Sequence, residues 1–185
     1  METGQVDFIF SPGEEIGLVG SQSLDMSKIA GSMGYVLDSA GEVGRVTVAS
    51  PSMYVYEVAI QGKAAHAGLE PEKGISAIDI LKEGLSGIKT GRIDAQTTAN
   101  IGVIKGGEAT NIVMDALYLK GEIRSVSEEK AQSLINDVQE SFEQAAASLG
   151  GQVSIHVQKM ATGFDIHEDQ PVMLLLREVL EKANI

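Results

Sequence analysis

Two glutamates, Glu14 and Glu15, stand side by side behind Pro12-Gly13 in a chain of 185 residues. They follow a β-rich run, Gln5 to Phe10, so they sit at the C-terminal tip of an expected strand. Open α/β sheets place their active sites at such tips. Two neighbouring carboxylates can divide the labour, one ligating a metal and the other moving a proton. Equally, they can be solvated acids near a helix start. Asp38 ends a second apolar run, Gly34 to Leu37, where a hard oxygen donor could meet a metal or simply form a turn. His66 lies within Gly62-Lys63-Ala64-Ala65-His66-Ala67-Gly68, where small neighbours leave the imidazole accessible. Asn111 follows a Gly106-Gly107 turn. Arg124 lies near the end of an apolar strand and can grip a carboxylate with two bonds, or pair with Glu122 or Glu128. His156 and His167 read as structural or solvated. The chain has no two-histidine metal spacing, so no complete zinc site is legible.

The composition restricts what these residues can serve. Fourteen Lys and Arg against 26 Asp and Glu leave a net charge of −12. Such a chain repels phosphate backbones and anionic membranes, so neither nucleic acid nor membrane is an expected partner. The absence of cysteine excludes thiol catalysis, disulfide scaffolds and cysteine–zinc sites, and points to the cytoplasm. Glu2 and Asp7 occupy positions where a secretory leader would be basic and then apolar, so no leader is expected. No apolar stretch reaches the ~18 residues a spanning helix needs. A hydrophobic share of 43% is that of a globular chain.

The elements that must position these residues fall into three zones. Residues 1–50 read strand, helix (Ser21 to Ile29), strand, the order of a parallel α/β sheet, but too few elements to bury a core alone. Residues 51–161 read βαββαβ. A strand from Met53 to Gln61 alternates, with Tyr54, Tyr56, Val58 and Ile60 on one face. A helix from Ile75 to Ile88, a strand from Thr97 to Lys105 and a strand from Ile112 to Ser125 follow. A long helix then carries the stripe Ala131, Leu134, Ile135, Val138, Phe142, Ala145 and Leu149, with Ser125 or Ser127 as N-cap and Gly150 as stop. A strand from Gln152 to Lys159 closes the zone. This predicts an antiparallel sheet with two helices on one face. Residues 162–185 supply one more helix, Val172 to Ala183.

Ser11 to Gly20, with its Glu14-Glu15 pair, resembles the Glu-Glu motif of the M20 family of metallopeptidases. Gly62 to Gly68, with Pro71, Gly74 and Ala77, resembles that family's lid motif. Gly106-Gly107 to Asn111 and Gly121-Glu122-Ile123-Arg124 resemble the end of the lid. Order and spacing agree over nearly the whole chain, and the likeness is to the peptidase T-like branch. The resemblance implies an α/β catalytic domain (residues 1–50 and 162–185, both partial) with a ferredoxin-like lid and dimerisation domain inserted at 51–161. It implies a two-metal hydrolase of small peptides or related amide bonds, aminopeptidase- or tripeptidase-like, with zinc as the metal, dimerising through the lid. Glu14 is then the general base for the attacking water, Glu15 a ligand of one metal and Asp38 of the other. His66 stabilises the oxyanion, and Asn111 and Arg124 hold the substrate's carbonyl or carboxylate end. An aspartate at 38 leans towards aminopeptidases. The family's H-x-D motif, bridging acid and last metal histidine have no counterpart in this sequence, and Met114 replaces a common proline. The other reading is a non-catalytic ferredoxin-like module for dimerisation or small-ligand binding. The strand Met53 to Gln61 and the helix Ile75 to Ile88, with Gly74, Gly84 and Gly87, are the expected dimer surfaces.

Overall fold

The structure, a computed structural model, describes residues 4–15, 18–38 and 40–185. Glu2, Ile16 and Gly17 of the acidic motif, and Ser39, lie outside the described residues. In chain order the elements are α1 (Val19–Gln22), β1 (Ala49–Ser50), β2 (Ser52–Gln61), α2 (Ala77–Ser86), β3 (Gly91–Asp94), β4 (Thr97–Gly106), β5 (Ala116–Ser125), α3 (Glu128–Leu149), β6 (Gln152–Ala161), β7 (Phe164–Asp165) and α4 (Pro171–Lys182). They form two compact units, residues 49–165 and residues 4–48 with 166–185.

The 49–165 unit is a five-stranded antiparallel sheet in the order β3-β4-β5-β2-β6, with α2 and α3 on one face. The alternation of β2 is as expected: Tyr54, Tyr56, Val58 and Ile60 are buried against the helices. Leu119 and Ile123 on β5, Ile80 on α2 and Phe142 on α3 complete the core. Each fully buried side chain of this size contributes about 1.5–3 kcal/mol relative to exposure. The helices begin where caps allow. Ser76 Oγ accepts from the Asp79 N–H, and Ser127 Oγ from the Lys130 N–H. Gly150 ends α3 in the left-handed region at φ 77°.

Glu128, the first residue of α3, ties the ends of the unit together. Its carboxylate accepts from Ser52 Oγ at 2.8 Å, from Lys159 Nζ at 3.0 Å and from the Tyr54 hydroxyl. The Ser52 hydroxyl in turn accepts the Gly163 N–H at 2.8 Å. The Tyr54 hydroxyl, then Lys159 and Ser52, hold the Glu128 carboxyl down at about 2. One carboxylate thus pins the start of β2, the end of β6 and the N-terminus of α3.

Several expectations change. The strand expected over 112–125 begins only at Ala116, because residues 107–115 are used as a loop. A short strand, β3, pairs with the first residues of β4 and was not legible. The strand β2 lies between β5 and β6, so it offers no edge to a second chain. Gly84 does not face solvent either, since a Cβ there would lie 2.5 Å from the Phe142 ring; Gly87 is exposed, but a Cβ there would lie 2.3 Å from Ser141 Oγ. Both serve the close approach of α2 to α3.

The 4–48 and 166–185 unit is different in kind: among its described residues none is buried. The runs Gln5–Phe10 and Gly34–Leu37 pair with no strand, so the expected parallel sheet is not formed among the described residues. Phe8, Phe10, Val36 and Leu37 are accordingly exposed. A strand exists only by its ladder, and these two runs have no ladder to join. The expected helix over 21–29 is split into α1 and a 3₁₀ turn at Met26–Lys28. Asp7 still orders the region by accepting the Ala30 and Gly31 N–H groups at 2.9 and 3.1 Å. Tyr35 donates its hydroxyl to the Val172 carbonyl of α4. Among the described residues no helix is long and apolar enough to cross a membrane.

Candidate functional site

The acidic pair sits on a tight turn. Gly13 has a positive φ of 74°, which glycine adopts without strain. The Glu14 carbonyl accepts the Leu18 N–H at 3.1 Å, and the Pro12 carbonyl accepts the Gly20 N–H at 3.0 Å. The backbone of the pair is therefore fixed while both side chains stay exposed. Asp38 is likewise exposed, in a segment without regular structure. No three His, Asp or Glu side chains gather closely enough to hold a metal among the described residues. Glu15 and Asp38 alone do not compose a metal site.

In the sheet unit, His66 and Asn111 are brought together through the main chain. The Ala67 N–H donates to the Asn111 carbonyl and the Val113 N–H to the Ala65 carbonyl, each at 2.9 Å. Residues 66 and 112 form an isolated antiparallel bridge, as do 63 and 75. Gly62 is required at the crossing, since a Cβ there would lie 2.0 Å from the Ile75 carbonyl oxygen. Two loops distant in sequence thus form one strapped platform that carries the histidine and the asparagine, both exposed. His66 Nδ1 accepts the N–H groups of Gly68 and Leu69, each at 3.2 Å.

Arg124 lies elsewhere, near the end of β5 on the sheet face away from the helices, in register with Met53 and Thr98. Its guanidinium donates twice to Glu122, at 2.9 and 3.1 Å, so the partner foreseen among its alternatives is Glu122. A further row was not foreseen: Lys120, Glu57 and His156 stand opposite one another across β5, β2 and β6. Lys120 donates to Glu57 at 2.8 Å and holds its carboxyl below the usual range. Only strand register reveals that row, and no local signal marks it. His156 is therefore an outward-facing member of a charged row.

An antiparallel sheet with two helices on one face and a strapped histidine loop at its rim defines a lid-type domain. The chain belongs to the M20 peptidase family, and residues 49–149 match its peptidase dimerisation domain. All of the chain aligns with YqjE, an uncharacterised protein of Bacillus subtilis, at 43% identity over 184 residues and 50% of that protein. The fold is shared with the aminopeptidase PepT from Bacillus cereus, at a TM-score of 0.88 and 41% identity over 94% of this chain and 46% of that one. It is shared equally with a tripeptidase from Staphylococcus aureus, at 0.88 and 35% over 95% of this chain and 47% of that one. The chain spans about half the length of these relatives.

Proposed function

We propose that this chain is the central segment of a two-metal peptidase that removes residues from short peptides, tripeptides among them, in the cytoplasm. The observation that carries the reading is the fixed acidic turn at Glu14-Glu15 in the same chain as the strapped His66–Asn111 platform, in a member of a peptidase family. The two divalent metals, zinc in this reading, would supply Lewis-acid chemistry at the scissile carbonyl. Glu15 and Asp38 would give each metal one carboxylate, and these two do not complete a site among the described residues, so the reading takes further ligands from a longer chain. Glu14 accepts a proton from the attacking water. His66 donates to the carbonyl oxygen. Asn111 holds a polar group of the substrate beside His66, and Arg124, at the other end of β5 and paired with Glu122, takes the carboxylate end in this reading without sharing that platform. Metal content and tripeptide hydrolysis test this together. The 185-residue chain alone is expected to show neither, and a chain of the relatives' full length to show both. Robust hydrolysis by the short chain, or none by the long one, overturns the proposal.

For the 185 residues by themselves we propose a non-catalytic role, pairing of two copies through the sheet unit, because among the described residues that unit alone holds a buried core. The edge that fits is β4. The strand β3 covers only its first residues, Thr97 to Ala99, and among the described residues no strand pairs with its outer side from Asn100 to Gly106. Ile104 there is 52% exposed. The opposite edge, β6, carries Lys159 turned inward to Glu128 and a register shift against β2, both of which blunt edge pairing. The charge of −12 opposes association, but is screened beyond about 8 Å at physiological salt. Light scattering over a concentration series is expected to give twice the monomer mass, and Ile104→Lys the monomer mass. A wild-type chain that stays monomeric to high micromolar concentration excludes the pairing, and a dimeric Ile104→Lys chain excludes β4.

A further inference from the structure

We infer that the turn after His66 locks its imidazole in the Nε2–H tautomer, making it a fixed hydrogen-bond donor for a peptide carbonyl oxygen rather than a base. The Gly68 and Leu69 N–H groups both point at Nδ1, each at 3.2 Å. A backbone amide can only donate. Nδ1 therefore presents its lone pair to two donors, and the single proton of the neutral ring resides on Nε2. A proton on Nδ1 would set three donors against one another with no acceptor among them. The turn is closed from the other side as well, because the His66 carbonyl accepts the Leu69 and Glu70 N–H groups at 3.3 and 3.0 Å. Ring and turn are thus one unit, and the bridge to residue 112 anchors that unit to the loop bearing Asn111.

The chemical consequence rests on the function proposed above. A neutral imidazole with its proton on Nε2 has no free lone pair on that nitrogen, so it cannot take the proton of an attacking water there. It can donate to the oxygen of a carbonyl as negative charge develops, and a donor that needs no reorientation is the effective kind. Proton removal is left to a carboxylate. Gly68 and Leu69 act as positioning residues through their amides. A Cβ at 68 would meet the imidazole at 3.6 Å, an ordinary contact, so Gly68→Ala keeps the amide donor, whereas Gly68→Pro deletes it.

The test is nitrogen NMR of the uniformly labelled 185-residue chain at about pH 8.5, where imidazoles are neutral. His66→Gln identifies the His66 signals by their loss, and His156 and His167 serve as internal comparisons. The expected spectrum has Nε2 protonated and Nδ1 unprotonated in a single tautomer, with scalar couplings across hydrogen bonds from the Gly68 and Leu69 amide nitrogens to Nδ1. Gly68→Ala retains this pattern, and Gly68→Pro loses the residue-68 coupling and moves His66 towards a mixture. A mixture or an Nδ1–H ring in the wild-type chain overturns the inference. So does a pure Nε2–H ring with neither coupling, which needs no variant to fold. The measurement uses no substrate, so failure of the peptidase reading appears only in the hydrolysis assays and failure of the tautomer lock only here.

Discussion

Glu14→Ala, placed in a chain of the relatives' full length, is expected to keep its metal and lose turnover by roughly 10²–10⁴-fold, the usual contribution of a proton-transfer group. Glu15→Ala is expected to lose metal first and activity as a result. The pair makes a sharp test because the two residues are neighbours on one turn, with the same charge and the same exposure. Substitutions at exposed positions away from special features usually change stability by less than about 0.5 kcal/mol. The bonds that fix this turn run between main-chain groups, Leu18 N–H to the Glu14 carbonyl among them, and alanine keeps them. Unfolding is thus not the expected source of any loss, and circular dichroism of both variants checks this directly. Metal by mass spectrometry and tripeptide hydrolysis are then read side by side. Metal lost from Glu14→Ala but not Glu15→Ala reverses the two roles, and two variants with unchanged metal and rate remove the acidic turn from the site.

What could be read from the sequence divides along the line between local and non-local information. The alternation Tyr54, Tyr56, Val58, Ile60 and the stripe from Ala131 to Phe142 are local periodicities, and each became a buried face. The caps at Ser127 and Gly150 are equally local. The place of β2 inside the sheet is not. It depends on which strands return beside it, and so the expectation that this strand offers its edge as a dimer surface failed. Gly84 failed for the same reason: its neighbour Phe142 is 58 positions away, and nothing in its own segment announces the contact. In the candidate site, the residue types at 14, 15, 38, 66, 111 and 124 suggested chemistry. The straps joining 65–67 to 111–113 are main-chain bonds, which leave no trace in side-chain identity. The two expected strands at 5–10 and 34–37 have strand composition without a ladder, and composition cannot supply one.

Gly121→Ala is expected to destabilise the sheet unit by about 3 kcal/mol, the upper end of the usual cost of overpacking. The motif Gly121-Glu122-Ile123-Arg124 begins with this glycine for a packing reason. A Cβ there would lie 2.3 Å from Cζ and 2.4 Å from the hydroxyl of Tyr56, and 2.5 Å from the Asn100 carbonyl oxygen. Tyr56 is 1% exposed, and the Asn100 oxygen belongs to the adjacent strand β4, so neither neighbour can yield cheaply. Opposing this, alanine in a strand interior gains roughly 0.5–1 kcal/mol over glycine, too little to offset the clash. Thermal unfolding followed by circular dichroism should show a fall of about 10 °C or more. Tyr56 supplies a second readout. Burial pushes its phenol from 10.0 up to about 12 in the folded chain. The unfolded chain ionises first as pH rises, so the stability that Tyr56 confers is complete below pH 10 and is lost between pH 10 and 12. If the alanine drives Tyr56 towards solvent, its ultraviolet titration moves back towards 10 and that alkaline loss shrinks. The same shift would disturb the strand three residues before Arg124, weakening the two bonds of its guanidinium to Glu122. An unchanged midpoint together with an unchanged Tyr56 titration would show that β4 and β5 separate more easily than the packing around Tyr56 implies.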